Sequence, residues 1–225
     1  MTATDDSNAM LTDYEARVLG CLMEKQMTTP DYYPLTLNSL VTACNQKSSR
    51  QPVMSLSPSQ VGGVVSTLRS RGLVTARMDG RADKFEQHLS RKLGLSSRER
   101  AIICVLLLRG ALTLNEIRIN TGRMVSFDEG DELQGLIQGL MERDEPLMAK
   151  LPKASGQREE RYLHLLCGEP DIEALAKGVG GTSGGSKASA ESDQSGRIAK
   201  LEQEIDELKR EVAQLWELTG LKRNK

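Results

Sequence analysis

The sequence is poor in aromatic residues and carries almost no net charge. Its 225 residues include only 2 Phe, 4 Tyr and 1 Trp, and 30 Lys and Arg stand against 31 Asp and Glu, which gives a net charge of −1. Proteins that read single-stranded nucleic acid stack bases on aromatic side chains, so the composition disfavours that class. The bulk charge likewise gives no general signal for binding a polyanion.

Cysteine pairs and long apolar runs are also missing. The four cysteines stand singly at positions 21, 44, 104 and 167, and the two histidines are far apart, so the spacing indicates no zinc site and no cofactor. Such thiols are typical of small buried groups in a reducing compartment. No apolar run reaches the roughly 18 residues of a membrane span, and the N-terminus lacks a signal pattern. We therefore expect a cytoplasmic protein without membrane contact, in which residues 1–10 form a disordered tail.

One helical pattern occurs twice, at a constant offset of 84 residues. Residues 11–22 and 95–106 carry apolar side chains at the same helical spacing. Each copy opens with a capping box, in which a hydroxyl residue is followed three places later by a glutamate: Thr12 with Glu15, and Ser96 with Glu99.

The later parts of the two copies also correspond. Residues 61–71 and 133–143 each place apolar side chains on one face of a third helix and end with an arginine. The period then shortens to about two in residues 73–89 and 147–165, which indicates a β-hairpin. Three helices followed by a hairpin is the winged-helix order. The predicted fold class is thus mainly α with small β-hairpins (α+β), with two tandem winged-helix domains at 11–92 and 93–168.

The C-terminal quarter has a different composition. Residues 169–196 are rich in Gly and Ser and predict a flexible linker. Residues 197–222 predict a coiled-coil helix, because β-branched residues and leucine alternate at heptad spacing, which favours a parallel two-stranded homodimer. The candidate dimerisation residues are Ile198, Leu201, Ile205, Leu208, Val212 and Leu215. The alternative is a single amphipathic helix that docks on its own protein.

A long motif in the first copy resembles the sequence pattern of a known protein family. The stretch MEKQMTTPDYYPLTLNSLVTACNQKSSRQPVMSLS, from Met23 to Ser57, resembles the YceH-like family of uncharacterised bacterial proteins. LLLRGA at 106–111 and the R-x-x-R-Y-x-H-L element at 158–165 are similar to that family as well. The resemblance covers both copies and implies a tandem winged-helix protein, but it implies no particular activity.

The first copy carries the better signal for double-stranded DNA. From Met10 to Lys92 there are 11 Lys and Arg against 7 Asp and Glu, a charge of +4. Basic side chains on the third helix, its preceding loop and the hairpin suit phosphate contacts, and polar ones could reach base edges. The candidate DNA-binding residues are Lys47, Arg50, Ser59, Gln60, Ser66, Thr67, Arg69, Arg71, Arg77, Arg81 and Lys84.

Two features of this region leave alternatives open. Gly62 and Gly63 lie inside the third helix, where they permit either a close approach of DNA or tight packing on a neighbouring element. In the polar cluster 45–51, Asn45 could cap the second helix, and Gln46, Lys47 and Arg50 could bond neighbouring carbonyl groups instead of a ligand.

The second copy has the opposite charge. Residues 93–170 carry 10 Lys and Arg against 12 Asp and Glu, a charge of −2, and its third helix opens with carboxylates that repel phosphate. We expect this copy to contact a protein partner or to support the first copy. The rival hypothesis for the whole chain is a protein–protein interaction scaffold of winged-helix type that does not read DNA.

Catalysis has the weakest support of the three functional classes. Cys44 lies beside Asn45, Gln46 and Lys47, but no histidine is near in sequence to act as its base. His88 and His164 fall in predicted strands. The sequence therefore predicts a protein that is not an enzyme.

Overall fold

The computed structural model of the chain describes residues 10–79, 82–127, 130–151 and 159–168. The predicted N-terminal tail up to residue 9, the linker and the coiled-coil helix with its six candidate dimerisation residues lie outside the described residues. Among the helices that are described, none combines the length and the apolar character that a bilayer-spanning segment requires.

The first repeat consists of three helices and a three-stranded antiparallel sheet. A 3-10 turn at Pro30–Tyr32 connects its first helix to its first strand. The sheet has the order β1-β3-β2, with Leu35 and Ala76 both opposite Phe85. In chain order the elements are α1 (Asp13–Thr28), β1 (Leu35–Thr36), α2 (Leu37–Cys44), α3 (Pro58–Ser70), β2 (Val74–Asp79) and β3 (Ala82–Gln87).

The second repeat follows the same order after a four-residue helix. Its sheet has the order β4-β6-β5, in which Leu112 and Lys150 both lie opposite Tyr162. The elements are α4 (Leu89–Lys92), α5 (Ser97–Arg109), β4 (Leu112–Thr113), α6 (Leu114–Thr121), α7 (Gly130–Met141), β5 (Met148–Leu151) and β6 (Arg161–His164). In the part of the chain that the structure describes, seven α-helices and two small antiparallel sheets confirm the predicted α+β class. The short strands β1 and β4 add a third strand to each predicted hairpin.

Local hydrogen bonds start the helices where the sequence predicts. Thr12, Ser57 and Ser96 are the N-caps of α1, α3 and α5, and each helix has a complete capping box. In each box the hydroxyl accepts from a backbone N–H while the third residue bonds back to the cap, which satisfies two amides at the helix start. A proline at the first position of α3 needs no partner there because it has no N–H.

One hydrophobic core runs through both repeats. The buried side chains of α1 and α5 belong to a single cluster, with Leu19, Leu22, Ile103 and Leu106 fully buried. The two helices meet closely at Gly20, where an added Cβ would lie 2.9 Å from Leu108. The structure thus joins the two repeats through their equivalent first helices, and the domain boundary at residue 92 stays a prediction.

Candidate functional site

The outer face of α3 brings five of the candidate residues together. Val61, Val65 and Leu68 are buried on the inner face, and the helix contains no acidic residue. Each of the five is exposed on the other side of the helix: Ser59, Gln60, Ser66, Thr67 and Arg69. Because hydroxyl, amide and guanidinium groups donate to phosphate and base edges, this face can contact a DNA groove without repelling the backbone.

Packing against other described residues does not explain the two glycines of α3. A Cβ built on Gly63 meets no atom within 4 Å, and one on Gly62 meets only Leu37, at an ordinary 3.9 Å. A helical glycine costs about 1 kcal/mol relative to alanine. The alternative that Gly63 permits tight packing on a neighbouring element is therefore wrong as far as the described residues are concerned. Gly135, the equivalent residue of α7, also faces open space, so the glycine does not distinguish the two repeats.

The β2–β3 hairpin supplies fewer available cations than the sequence indicates. Arg77 has a 70% exposed side chain but pairs with Glu86 at 3.2 Å. Lys84 lies directly opposite Arg77 and is half-buried. Arg81 lies outside the described residues. Because exposed ion pairs contribute little and exchange readily, Arg77 can still turn to a phosphate.

Lys47 is exposed in the loop between α2 and α3 and bonds to no described residue. It therefore stays available for a phosphate contact.

Arg50 is wrongly included among the DNA contacts. Only 4% of the residue is exposed, and its guanidinium forms a two-armed pair with the buried Glu24, at 3.2 and 2.5 Å. Its Nε donates to the carbonyl of Ala43 at 3.1 Å, and Nη2 donates to the side chain of Gln46 at 2.8 Å. A guanidinium committed to this set of acceptors has no free donor for DNA, so Arg50 is a structural residue.

The rest of the polar cluster also builds the loop. Asn45 ends α2, as its capping alternative predicts, and its amide bonds both the N–H and the carbonyl of Leu56, at 2.7 and 2.8 Å. Arg17 from α1 is 1% exposed and donates to the carbonyls of Cys44 and Pro52. These bonds fix the loop that precedes α3. The cluster is therefore a structured connector with Lys47 at its surface.

Arg71, whose side chain is 13% exposed, also has a partner within the protein, and the same bond occurs in both repeats. Its Nη1 donates to Oε1 of Glu15 at 3.0 Å, while the other oxygen of Glu15 caps α1. In the second repeat Arg143 donates to Oε1 of Glu99 at 2.7 Å, and Oε2 of Glu99 caps α5. Both repeats thus use the arginine after the third helix to hold the glutamate of the capping box. These bonds keep the pKa of Glu99 below its ordinary value although partial burial opposes them.

The cluster around Glu24 is the part of the site region that sequence reasoning missed. Arg123, just after α6, donates to Oε1 of Glu24, so one buried carboxylate connects the loop of the first repeat to the second. A comparison of the two copies of the repeat could have identified this cluster from the sequence. At the 84-residue offset Glu24 corresponds to Leu108 and Arg17 to Ala101, so both charged residues occupy positions where the other copy is apolar.

The structure shows the surroundings of the titratable side chains that were considered for catalysis. Cys44 is fully buried, and its hydrogen bond with Cys21 together with burial raises its pKa, so it is not a ready nucleophile. Burial lowers the pKa of His164 to about 4, and its Nδ1 is a buried atom without a hydrogen-bond partner. His88 instead bonds the hydroxyl of Thr75 at 2.8 Å. No group of three or more potential metal ligands occurs within the described ranges.

Comparison with known proteins gives a family for the chain. The family model described as "Protein of unknown function, DUF480" matches residues 11–157. A UPF0502 protein from Vibrio atlanticus is 44% identical over 215 residues, covering 92% of this chain and 96% of the relative. Its counterpart from Vibrio parahaemolyticus is 44% identical over 212 residues, covering 91% and 97%. One from Cellvibrio japonicus is 42% identical over 208 residues, covering 92% and 95%.

These descriptions name no activity, ligand or partner. A coverage of 92% is more than the first 168 residues could supply, so the similarity continues into the C-terminal region. The YceH-like label is not among the names found and stays a prediction.

Proposed function

The chain belongs to the family of proteins of unknown function DUF480, and we propose that it is a non-enzymatic tandem winged-helix protein that binds double-stranded DNA. The binding surface is α3 with the β2–β3 hairpin of the first repeat, and the role is transcriptional regulation in the cytoplasm.

The exposed face of α3 carries this proposal. Five polar or basic side chains lie on one face of a helix that has no carboxylate. The third helix of the second repeat differs, since Glu132 in its first turn pairs with Arg98 and Gln138 bonds Glu142 near its end. A phosphate backbone would approach α3 without electrostatic penalty but would meet acidic groups at α7.

The number of basic groups sets the expected salt dependence. Lys47, Arg69, Arg77 and Lys84 are the candidate phosphate contacts that remain among the described residues. Each phosphate contact on B-DNA contributes roughly −0.9 to the slope of log K against log salt concentration. Four contacts therefore correspond to a slope of about −4, and Arg81 would add one more.

A titration of labelled duplex DNA tests the proposal. We expect the full chain to bind at 50 mM salt, to weaken along this slope, and to lose most of its affinity in the double variant Arg69→Ala, Arg81→Ala. The double variant Arg118→Ala, Lys150→Ala removes two exposed cations of the second repeat and serves as the control. Absence of binding by the parent chain at 50 mM salt would reject the DNA proposal.

The second candidate function is a protein–protein scaffold that does not read DNA. It is supported by the structural use of Arg50 and Arg71 and by the acidic Asp83 and Glu86 on the hairpin, which reduce the positive surface. Ile119, 68% exposed on α6, is a candidate contact for a protein partner of the second repeat. The scaffold predicts partner binding that is unaffected by the Arg69 and Arg81 substitutions.

We also propose a homodimer, held by the heptad pattern of residues 197–222. Replacing Leu201 and Leu208 by aspartate would convert a dimer into a monomer in sedimentation experiments. A parent chain that sediments as a monomer would contradict this part of the proposal.

A further inference from the structure

Two arginines, one from each repeat, bind a single buried carboxylate where the two repeats meet. Glu24 is 1% exposed and accepts from both Arg50 and Arg123. Arg109, the last residue of α5, follows Leu108, whose carbonyl accepts from the N–H of Gln51, the residue after Arg50. Partial burial lowers the pKa of Arg109, and the nearby charges of Arg123 and Arg50 lower it further. Among the described residues Arg109 has no hydrogen-bond or ion-pair partner. One carboxylate therefore pairs with two guanidinium groups, and a third arginine without a described partner stands at the same end of α5.

The excess positive charge is larger than the surrounding backbone can offset. Arg109 is the last residue of α5 and Arg123 lies two residues after α6, and each helix end supplies about half a negative elementary charge. Glu116 is also near Arg109, but Arg161 pairs with it at 3.2 Å. Among the described residues, at least one positive charge thus stays without a counterion.

A second buried cation adds to this imbalance. Arg17 is 1% exposed, has no acidic partner among the described residues, and leaves its Nε without a hydrogen bond. Its two acceptors are backbone carbonyls, which do not cancel its charge. A buried charge is costly unless it is paired, so an anion bound nearby would stabilise the fold.

The outer members of the group are accessible. The Arg123 side chain is 52% exposed and Arg109 is half-buried, whereas Arg50 and Arg17 are buried. The loop of the first repeat lies against this end of α5, since the N–H of Gln51 donates to the carbonyl of Leu108 at 2.8 Å. An anion could therefore reach the two outer guanidinium groups from solvent.

We propose that Arg109 and Arg123 bind a phosphate group at the junction of the two repeats, with Arg50 and Arg17 providing positive charge behind them. Guanidinium groups match the oxygens of phosphate in forked geometry, and phosphate carries the one to two charges that this junction leaves uncompensated. The phosphate is either a free ion or a group of the DNA backbone, and only the second source rests on the proposed DNA binding.

The test measures the full chain with two phosphate sources. In the first arm, inorganic phosphate is titrated against sodium chloride of equal ionic strength and Tm is recorded. We expect a saturable rise of roughly 2 to 6 °C in the parent chain, because a ligand that binds only the folded state stabilises it. Arg109→Ala and Arg123→Ala should lose that rise. Arg118→Ala removes an exposed arginine of α6 that donates to Asn115, and this variant should keep the rise in Tm. It serves as the control for general effects of salt on an exposed arginine.

In the second arm, the same variants are titrated with duplex DNA. If the phosphate belongs to the DNA backbone, Arg109→Ala and Arg123→Ala should each reduce the salt slope by about one, and Arg118→Ala should not. An effect in the phosphate arm alone identifies a free phosphate, and this result stands even if the chain binds no DNA. If Tm rises equally in all variants and the DNA slopes are unchanged, the phosphate site does not exist.

Discussion

Replacement of Glu24 by glutamine should be among the most destabilising single changes in the protein. The substitution keeps the shape of the side chain but removes the charge that faces Arg50, whose side chain is 0% exposed. Removing one partner of a buried ion pair costs about 3 to 5 kcal/mol, because the other charge stays buried without compensation. Glutamine retains one acceptor oxygen, so we expect about 3 kcal/mol. Domains have a total stability of about 5 to 15 kcal/mol, so the variant should still fold.

Urea unfolding of the full chain measures this loss. The only tryptophan, Trp216, lies outside the described residues, so far-UV circular dichroism should follow the helices instead. With a slope of about 2 kcal/mol per molar urea, a loss of 3 kcal/mol lowers the midpoint by about 1.5 M. Arg123→Ala is the matched control, since this arginine binds the same carboxylate with a 52% exposed side chain and should cost less than about 1 kcal/mol.

A double substitution separates charge burial from packing. Glu24→Leu together with Arg50→Met removes both charges and fills similar space. This double variant should recover most of the free energy of unfolding that Glu24→Gln loses. The reasoning is refuted if Glu24→Gln lowers stability by less than 1 kcal/mol at an unchanged slope, or if Arg123→Ala costs as much.

Three further predictions concern the core, the repeat and pH. Gly20→Ala should lower the free energy of unfolding by about 1 to 3 kcal/mol, because the added methyl group overpacks against α5. Gly63→Ala, where the methyl group enters open space, should raise it by up to about 1 kcal/mol. Equal urea midpoints of the two variants would contradict the difference in packing. Arg71→Ala and Arg143→Ala should each cost about 1.5 to 3 kcal/mol in the same assay, and a negligible loss in either would show that the two repeats do not share this bond. His164 has a folded pKa of about 4, below the 6.5 of the unfolded chain, so its contribution is present above pH 6.5 and is lost as pH falls towards 4. Between pH 7 and 4.5 the parent should therefore lose up to about 2.5 kcal/mol more of its free energy of unfolding than His164→Gln does, and parallel pH profiles would exclude the effect.

The element order was predictable because its signals are local. The capping boxes at Thr12, Ser57 and Ser96 and the change of apolar period define helices and hairpins within a few residues of chain. The strands β1 and β4 were not predictable, since each is two residues long and shows no period. They exist because residues far along the chain, in β3 and β6, pair with them.

The candidate site was only partly predictable, because a sequence gives the charge of a side chain but not its partner. Arg69 and Arg50 look alike in sequence, yet one is exposed and the other is paired with Glu24 deep in the structure. The alignment of the two repeats contains more information. It places Arg71 opposite Arg143 in an acidic repeat, which argues for a shared structural bond and against a shared DNA contact.

We propose that the exposed face of α3 contacts DNA and that the equivalent face of α7 does not. Ser66 and Gln138 occupy equivalent, exposed positions of the two helices, so Ser66→Glu and Gln138→Glu place one carboxylate on each. Fluorescence anisotropy of a labelled duplex at 50 mM salt compares them directly. We expect Ser66→Glu to weaken binding at least about tenfold, since a carboxylate would face the phosphates, and Gln138→Glu to change it by less than about twofold. Equal losses in the two variants, or an unchanged affinity in Ser66→Glu, would contradict the assignment.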